Sequence, residues 1–418
     1  MTQKKVVVIG GGIVGLCSAY YLSQEGHEVT IIDKGDLNSG ASHVNAGYLT
    51  PSHIIPMAAP GMAIKGFRWM FKPSSPFYIK PRLDKELIRW GIQFIKSCTP
   101  SHVQRSMSTI LEINLLSKEL FLDMQKSQHF NFHLETKGLL MAYKTSHAEK
   151  EEAEVVAQAI DLGLKIDQLS PEEVLKKQPQ APMNIAGGFW YESDAHSTPE
   201  LFMQNLITFL NKKGVHFFLE KEVTGFKSKG SQIQSVYTSA QEIQADEVVL
   251  ASGAWSESIL KKLNIQLSVQ AGKGYRLNLN QSTGISLPAI LLEAKVAVTP
   301  MQGFTRFGGT MELSGINHKI NSKRVAAIAQ AASEYYPHVH ISQEELANVK
   351  CGLRPLSPDG LPYIGRHSKC KNLVLATGHS MMGWSLGPAS GKLVTEIISN
   401  QNTTISIHPF SPERGFGI

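Results

Sequence analysis

Cysteine is scarce. The 418 residues contain four, Cys17, Cys98, Cys351 and Cys370, with no CxxC pair and no metal-ligand spacing among them. This argues against a disulfide-built scaffold and a cysteine zinc module, and predicts a reduced, cytoplasmic setting with no bound metal. No apolar run reaches the roughly 18 residues that a membrane-spanning helix needs. The first strand-like run starts within five residues of Met1, which predicts no signal peptide. Charge is also thin, at 18% of residues, with 41 basic against 35 acidic and a net charge of +6. The basic residues are scattered and form no polybasic arm, which is poor support for nucleic-acid binding. The balance suits an anionic cofactor, an acidic substrate or weak attraction to anionic lipid. Internal repeats and low-complexity tracts are absent as well.

What is present starts at Val6-Val7-Val8-Ile9, a buried-strand pattern that runs into Gly10, Gly12 and Gly15 and then into a helix-like segment. Strand, tight turn and helix N-terminus together cradle a pyrophosphate. Gly10 permits the turn, Gly12 lets phosphate approach the backbone, and Gly15 lets the helix pack on the strand. A second strand, Glu28-Val29-Thr30-Ile31-Ile32, ends at Asp33, placed as a ribose-binding carboxylate about 20 residues beyond the glycines. A dinucleotide is therefore expected. Further strand ends, Ala251-Ser252-Gly253-Ala254-Trp255 and Ala376-Thr377-Gly378-His379, repeat this grammar in the middle and near the end of the chain. They favour the long, extended FAD over NAD.

Between these pieces lie insertions. Asp84 is read as the N-cap of a helix burying Leu87, Ile88, Ile92 and Ile95, and Ser108 as the start of a longer one through Leu111, Leu115 and Leu122. Ser170-Pro171-Glu172-Glu173 is a capping box, and Thr198-Pro199-Glu200 opens a helix that ends at Gly214. The expected fold is α/β (α+β): a Rossmann-type FAD-binding domain, discontinuous over 1–83, 190–260 and 350–418, with a substrate domain over 84–189 and 261–349.

Five segments make the chain resemble the D-amino acid dehydrogenase small-subunit family, itself related to glycine oxidase and sarcosine oxidase. They are IGGGIVGLCSAYYL, NAGYLTPSHIIPMAAPGMAIKGFRWMF, GKGYRL, GLRPLSPDGLPYIGR and TGHSMMGWSLGPASGKLV. The resemblance implies non-covalent FAD and a substrate domain built on a large, mostly antiparallel sheet. It also implies oxidation of D-amino acids to 2-oxo acids and ammonia by hydride transfer from Cα to flavin N5, with electrons passed to a quinone or other respiratory acceptor. D-Proline-like imino acids and glycine or sarcosine oxidation are the alternatives. Ser380, Met381 and Met382 stand where glycine oxidase has a second arginine, and Arg306 where sarcosine oxidase activates oxygen with lysine. The first departure argues against glycine oxidase and suggests a pocket tolerant of apolar side chains; the second favours a dehydrogenase.

Four residues are expected to act at the reacting centre. Arg354, in the GLRP motif, would bind the substrate carboxylate through its planar fork; the alternative is a structural ion pair with Asp359. His379 would lie at the flavin, Tyr275 would line the substrate pocket, and Arg306 would favour the reduced ring. The expected cofactor contacts are Gly10, Gly12, Ile13, Val14 and Gly15 at the turn, with Asp33, Lys34, Ser42 and Asn45 beyond it. Ala46, Gly47, Tyr48, Leu49 and Val223 follow, then Ser252, Gly253 and Trp255, and finally Gly378, His379, Met381, Met382, Gly383 and Trp384. Residues 52–72 combine Ile54, Ile55, Met57, Met62, Trp69, Met70 and Phe71 with Lys65, Arg68 and Lys72. That mixture suits a peripheral contact with the cytoplasmic face of a membrane or a loop packed over the site.

Overall fold

A computed structural model describes residues 2–69 and 77–416. Its first layer is a six-stranded sheet in the order His216–Phe218, Glu28–Ile32, Lys5–Ile9, Glu247–Leu250, Cys370–Thr377 and Tyr363–His367. The first five strands pair in parallel, and the last adds on antiparallel. Strand alternation decides which side chains face which cover. Val6 and Val8 pack under the helices Ile13–Gln24 and Gly387–Ile398. Val7 and Val248 face the other way, onto Ile233 and Val236 of a small antiparallel sheet.

The second layer is a nine-stranded, mostly antiparallel sheet. Next to one edge is the long strand Gln270–Leu279, paired with Phe304–Leu313 on one side and the edge strand Lys350–Leu356 on the other. A third, three-stranded sheet joins Tyr48–Leu49, Ala195–Ser197 and Leu134–Glu135. The two-layer plan therefore agrees with the sequence reading, but the boundaries shift. Strand Lys350–Leu356, expected with the nucleotide layer, belongs to the large sheet, and the boundary at 189/190 cuts through another of its strands, Gly187–Tyr191. Conversely, helix Pro100–Lys126, expected with the substrate layer, sends Phe121 and Met124 into the nucleotide-layer core.

Two helix readings are corrected. The Asp84 N-cap is real, its carboxylate accepting from the Glu86 and Leu87 amides, but Ile88, Ile92 and Ile95 are 53, 52 and 61% exposed. The opposite face is buried: Trp90 stacks on Phe94 and donates its indole N–H to the Leu356 carbonyl. The longer helix begins at Pro100 with Thr99 as N-cap, ahead of Ser108, and its Leu115 is exposed. The capping box at Ser170 and the helix Pro199–Lys212 form as read. Among the described residues, no helix is long and apolar enough to cross a membrane.

Candidate active site

The glycine turn is built for close approach. Gly10 sits at φ +109°, and a Cβ there would fall 2.5 Å from the Ala251 carbonyl oxygen. A Cβ on Gly15 would fall 1.8 Å from the Gly10 oxygen, so this third glycine lets the helix lie on the strand without facing any ligand itself. At Gly12 the nearest atom to such a Cβ is Ser42 Oγ at 3.4 Å, leaving the space before the helix open. No acidic side chain occupies the first turn of Ile13–Gln24, and the Gly12 cap offers no side chain, so the positive helix end is unshielded. Ser42 Oγ accepts from the Ile13 amide at 3.0 Å. Asp33 closes the next strand, accepting from the amides of Gly11 at 2.6 Å and Gly35 at 2.7 Å.

From this turn a cleft of about 960 Å³ runs between the two layers. Gly10, Gly12, Ile13 and Val14 line it at the turn, with Asp33, Lys34, Ser42 and Asn45 beside them. Val223, Ser252, Gly253 and Trp255 form a second wall, where the Lys34 ammonium stands 3.5 Å over the Trp255 ring. His379, Met381, Gly383 and Trp384 line it from the loop between strand Cys370–Thr377 and helix Gly387–Ile398, and Arg354 from the large sheet.

Arg354 is held in an unusual state. Its Nη1 donates to the Thr310 carbonyl at 2.9 Å, and a methionine sulfur, from Met311, lies 4.0 Å away. It makes no salt bridge with a carboxylate of the described residues. The alternative partner, Asp359, is taken at both oxygens by Arg414, at 2.6 and 2.9 Å. Burial pushes the Arg354 guanidinium down to about 10, leaving it charged at neutral pH. Space for it comes from Gly274 on the neighbouring strand, where a Cβ would lie 2.2 Å from Nη1.

His379 is 1% exposed, with Nε2 2.8 Å from the Ser390 hydroxyl on helix Gly387–Ile398. Burial pushes its imidazole down to about 3, so the ring at the cleft is neutral.

Several expected site residues lie elsewhere. Tyr275 does not line the cleft; its neighbours Gly274 and Arg276 do, because alternate residues of a strand point to opposite faces. Its hydroxyl donates to Glu312 at 2.9 Å, in a buried cluster with Lys273. Arg306 is 0% exposed and fully engaged: Nη1 donates to the His43 and Asn45 carbonyls, Nε to Asn278, and Nη2 pairs with Glu200. It braces the 43–45 loop from behind. Ala46, Gly47, Tyr48 and Leu49 are also behind the wall. Tyr48 donates to the Ala289 and Val298 carbonyls, Leu49 is in the core, and Ala46 and Gly47 accept from Thr299 and Ser197. Gly378 packs on the Tyr363 ring, and Met382 turns toward Asn114. Arg276, by contrast, lines the cleft with a buried, unpartnered Nε and was given no role from the sequence. Its two-residue spacing from Gly274 was the available signal.

A family model described as FAD dependent oxidoreductase matches residues 5–397. The chain belongs to the FAD-dependent oxidoreductases. This flavoenzyme is 33% identical over 418 residues to a D-amino acid dehydrogenase of Neisseria meningitidis serogroup C, covering 98% of this chain and 99% of the relative. It is 31% identical over 406 residues to a D-amino acid dehydrogenase of Vibrio vulnificus, covering 96% and 97%. Among solved structures, glycine oxidase from Geobacillus kaustophilus shares the fold with a TM-score of 0.75 at 22% identity, each chain covered completely. The residues present fit the cofactor. An open, unshielded helix end suits a pyrophosphate, Asp33 suits a ribose, and the cleft continues for the ring toward Arg354 and His379.

Proposed function

We propose that this flavoenzyme is a dehydrogenase that oxidises D-amino acids to 2-oxo acids and ammonia. One observation carries the reading: Arg354 is a charged, largely desolvated guanidinium that faces the cofactor cleft without a carboxylate of its own among the described residues. A partly desolvated cation without an anion is costly, and a substrate carboxylate would offset that cost with two parallel N–H···O bonds. The choice of D-amino acids rests on the names of the full-length relatives.

Bound FAD would supply the hydride acceptor, and the protein orients the substrate. Arg354 would fix the carboxylate and so aim the Cα–H bond. Met381, half exposed beside the cleft, would offer an apolar surface to the substrate side chain. His379, with so weakly basic a ring, would hold no proton from the ammonium group; the substrate would enter with its amine neutral. Cys351 lines the same cleft, and burial pushes its thiol up, away from the thiolate that a covalent link would require, which supports dissociable FAD.

Electrons would then pass to a respiratory carrier, helped by peripheral membrane contact. For the segment 52–72, Ile54 is packed in the core and Met70, Phe71 and Lys72 lie outside the described residues. The stronger support is the helix Lys85–Ser97, whose Ile88, Ile92 and Ile95 stay exposed beside the exposed Lys85 and Lys96. Ile92→Glu should weaken sedimentation with anionic vesicles; equal sedimentation would remove this face from the contact.

The activity is tested by mixing the yellow protein anaerobically with D-amino acids, L-amino acids, glycine, sarcosine and hydroxyprolines while following absorbance near ~450 nm. Bleaching by several D-amino acids with slow reoxidation in air is expected. Bleaching by proline-like amines alone would move the substrate to the imino acids, and fast reoxidation with peroxide would make the enzyme an oxidase.

A further inference from the structure

The three-stranded sheet holds a cluster that amino acid oxidation does not use. Glu135 and His196 are directly opposite in an antiparallel pair, so both side chains leave the same face. His196 is 0% exposed, yet neither ring nitrogen has a hydrogen-bond partner. Its Nε2 lies 3.3 Å from Glu135 Oε2, close but not aligned for a hydrogen bond. His133 Nε2 lies 3.8 Å from Glu135 Oε1, and its Nδ1 is 3.0 Å from Thr198 Oγ1. One ligand atom from each of the three lies within 4.8 Å of the others.

In a tetrahedral site with metal–ligand bonds near 2.0–2.1 Å, ligand atoms stand roughly 3.4 Å apart. Before any metal enters, the two imidazoles stand 3.3 and 3.8 Å from different Glu135 oxygens and one ligand atom of each residue lies within 4.8 Å of the others, so modest side-chain adjustment would reach that spacing. Thr198 also plays the part that outer partners play at metal sites: with Nδ1 of His133 engaged, Nε2 is the nitrogen free to coordinate. A buried imidazole with two unsatisfied nitrogens is the feature that calls for a ligand, since buried polar atoms ordinarily have partners.

We propose that His133, Glu135 and His196 bind a divalent transition metal of the Zn²⁺ type, with water as the fourth ligand. Lys137 is the cation that the metal displaces. Its Nζ stands 2.9 Å from Glu135 Oε2 while its side chain is 46% exposed, so it can swing into solvent. The site adjoins the cofactor cleft. Ser197, next to His196, donates to the Gly47 carbonyl and accepts the indole N–H of Trp384, a cleft residue. Bound metal would stiffen that wall.

The test dialyses metal-stripped holoenzyme against Zn²⁺ and measures bound metal and melting temperature. One equivalent per chain and a raised melting temperature are expected. Glu135→Gln should weaken binding by about tenfold or more, and Lys137→Ala, a surface change, should tighten it by roughly tenfold as the competing cation goes. No stoichiometric binding at micromolar Zn²⁺, or binding that neither variant changes, would overturn the proposal.

Discussion

Two arginines on the strands that flank Gln270–Leu279 have much in common and differ where it matters. Burial pushes both Arg306 and Arg354 down to about 10. Arg306 has Glu200, two backbone carbonyls and an asparagine. Arg354 has one backbone carbonyl and an open cleft. A depressed arginine is therefore not the mark of a site by itself. The mark is a buried charge whose remaining donors point into space that a ligand can fill. One arginine braces the protein, and in the proposed reading the other would hold the substrate carboxylate.

Breaking each arginine should break different properties. The largest effect is expected for Arg354→Ala, with kcat/KM for D-amino acids falling about 10³-fold, mostly through KM, as expected for removing one member of a buried charge pair. Steady-state kinetics check it, with flavin content and melting temperature near wild type. For Arg306→Met the pattern should invert: stability falls by about 3 kcal/mol because Glu200 and the 43–45 carbonyls lose their partner, read by denaturant unfolding. KM of the enzyme that remains folded should stay close to wild type. Gly274→Ala sharpens the comparison, since its methyl group would enter the Arg354 guanidinium at 2.2 Å. A KM rise of roughly 10- to 100-fold is expected from that misplacement, with little change in melting temperature. Smaller still is Tyr275→Phe, which removes the bond to Glu312 and should cost about 1 kcal/mol of stability while moving KM little.

The smallest effect concerns pH. Asp194 is fully buried against Ser52, and burial pushes its carboxyl up to about 7. Because the folded value exceeds the unfolded one, its favourable contribution is present at low pH and lost as pH rises through about 7. Melting temperature should therefore fall from about pH 4 to about pH 7 and level off above it, and Asp194→Asn should flatten that fall.

The nucleotide half was legible because its signals are local. Gly10, Gly15 and Asp33 act within one strand–turn–helix–strand unit, and each constraint maps onto a residue type. Strand Lys350–Leu356 was misplaced because an apolar strand carries no sign of which sheet it joins; only its pairing with Gln270–Leu279 decides that. The helix after Asp84 presented two apolar faces, and the sequence pattern favoured the isoleucines over Trp90 and Phe94. Tyr275 lies off the cleft because a one-residue change of strand face moves a side chain from cavity to core; Arg306 lies off it because no residue of its strand lines the cleft. The metal-ligand cluster joins His133 and Glu135 to His196, some sixty residues on, so no spacing rule could reveal it.

The central claim is that Arg354 reads the substrate carboxylate. The most direct measurement compares anaerobic flavin reduction by a D-amino acid and by its amide, D-alanine against D-alaninamide, in wild type and Arg354→Ala. Wild type should favour the acid by roughly 100-fold or more, and the variant should lose that preference. Equal reduction of both compounds by wild type, or a preference that survives in Arg354→Ala, would contradict the account.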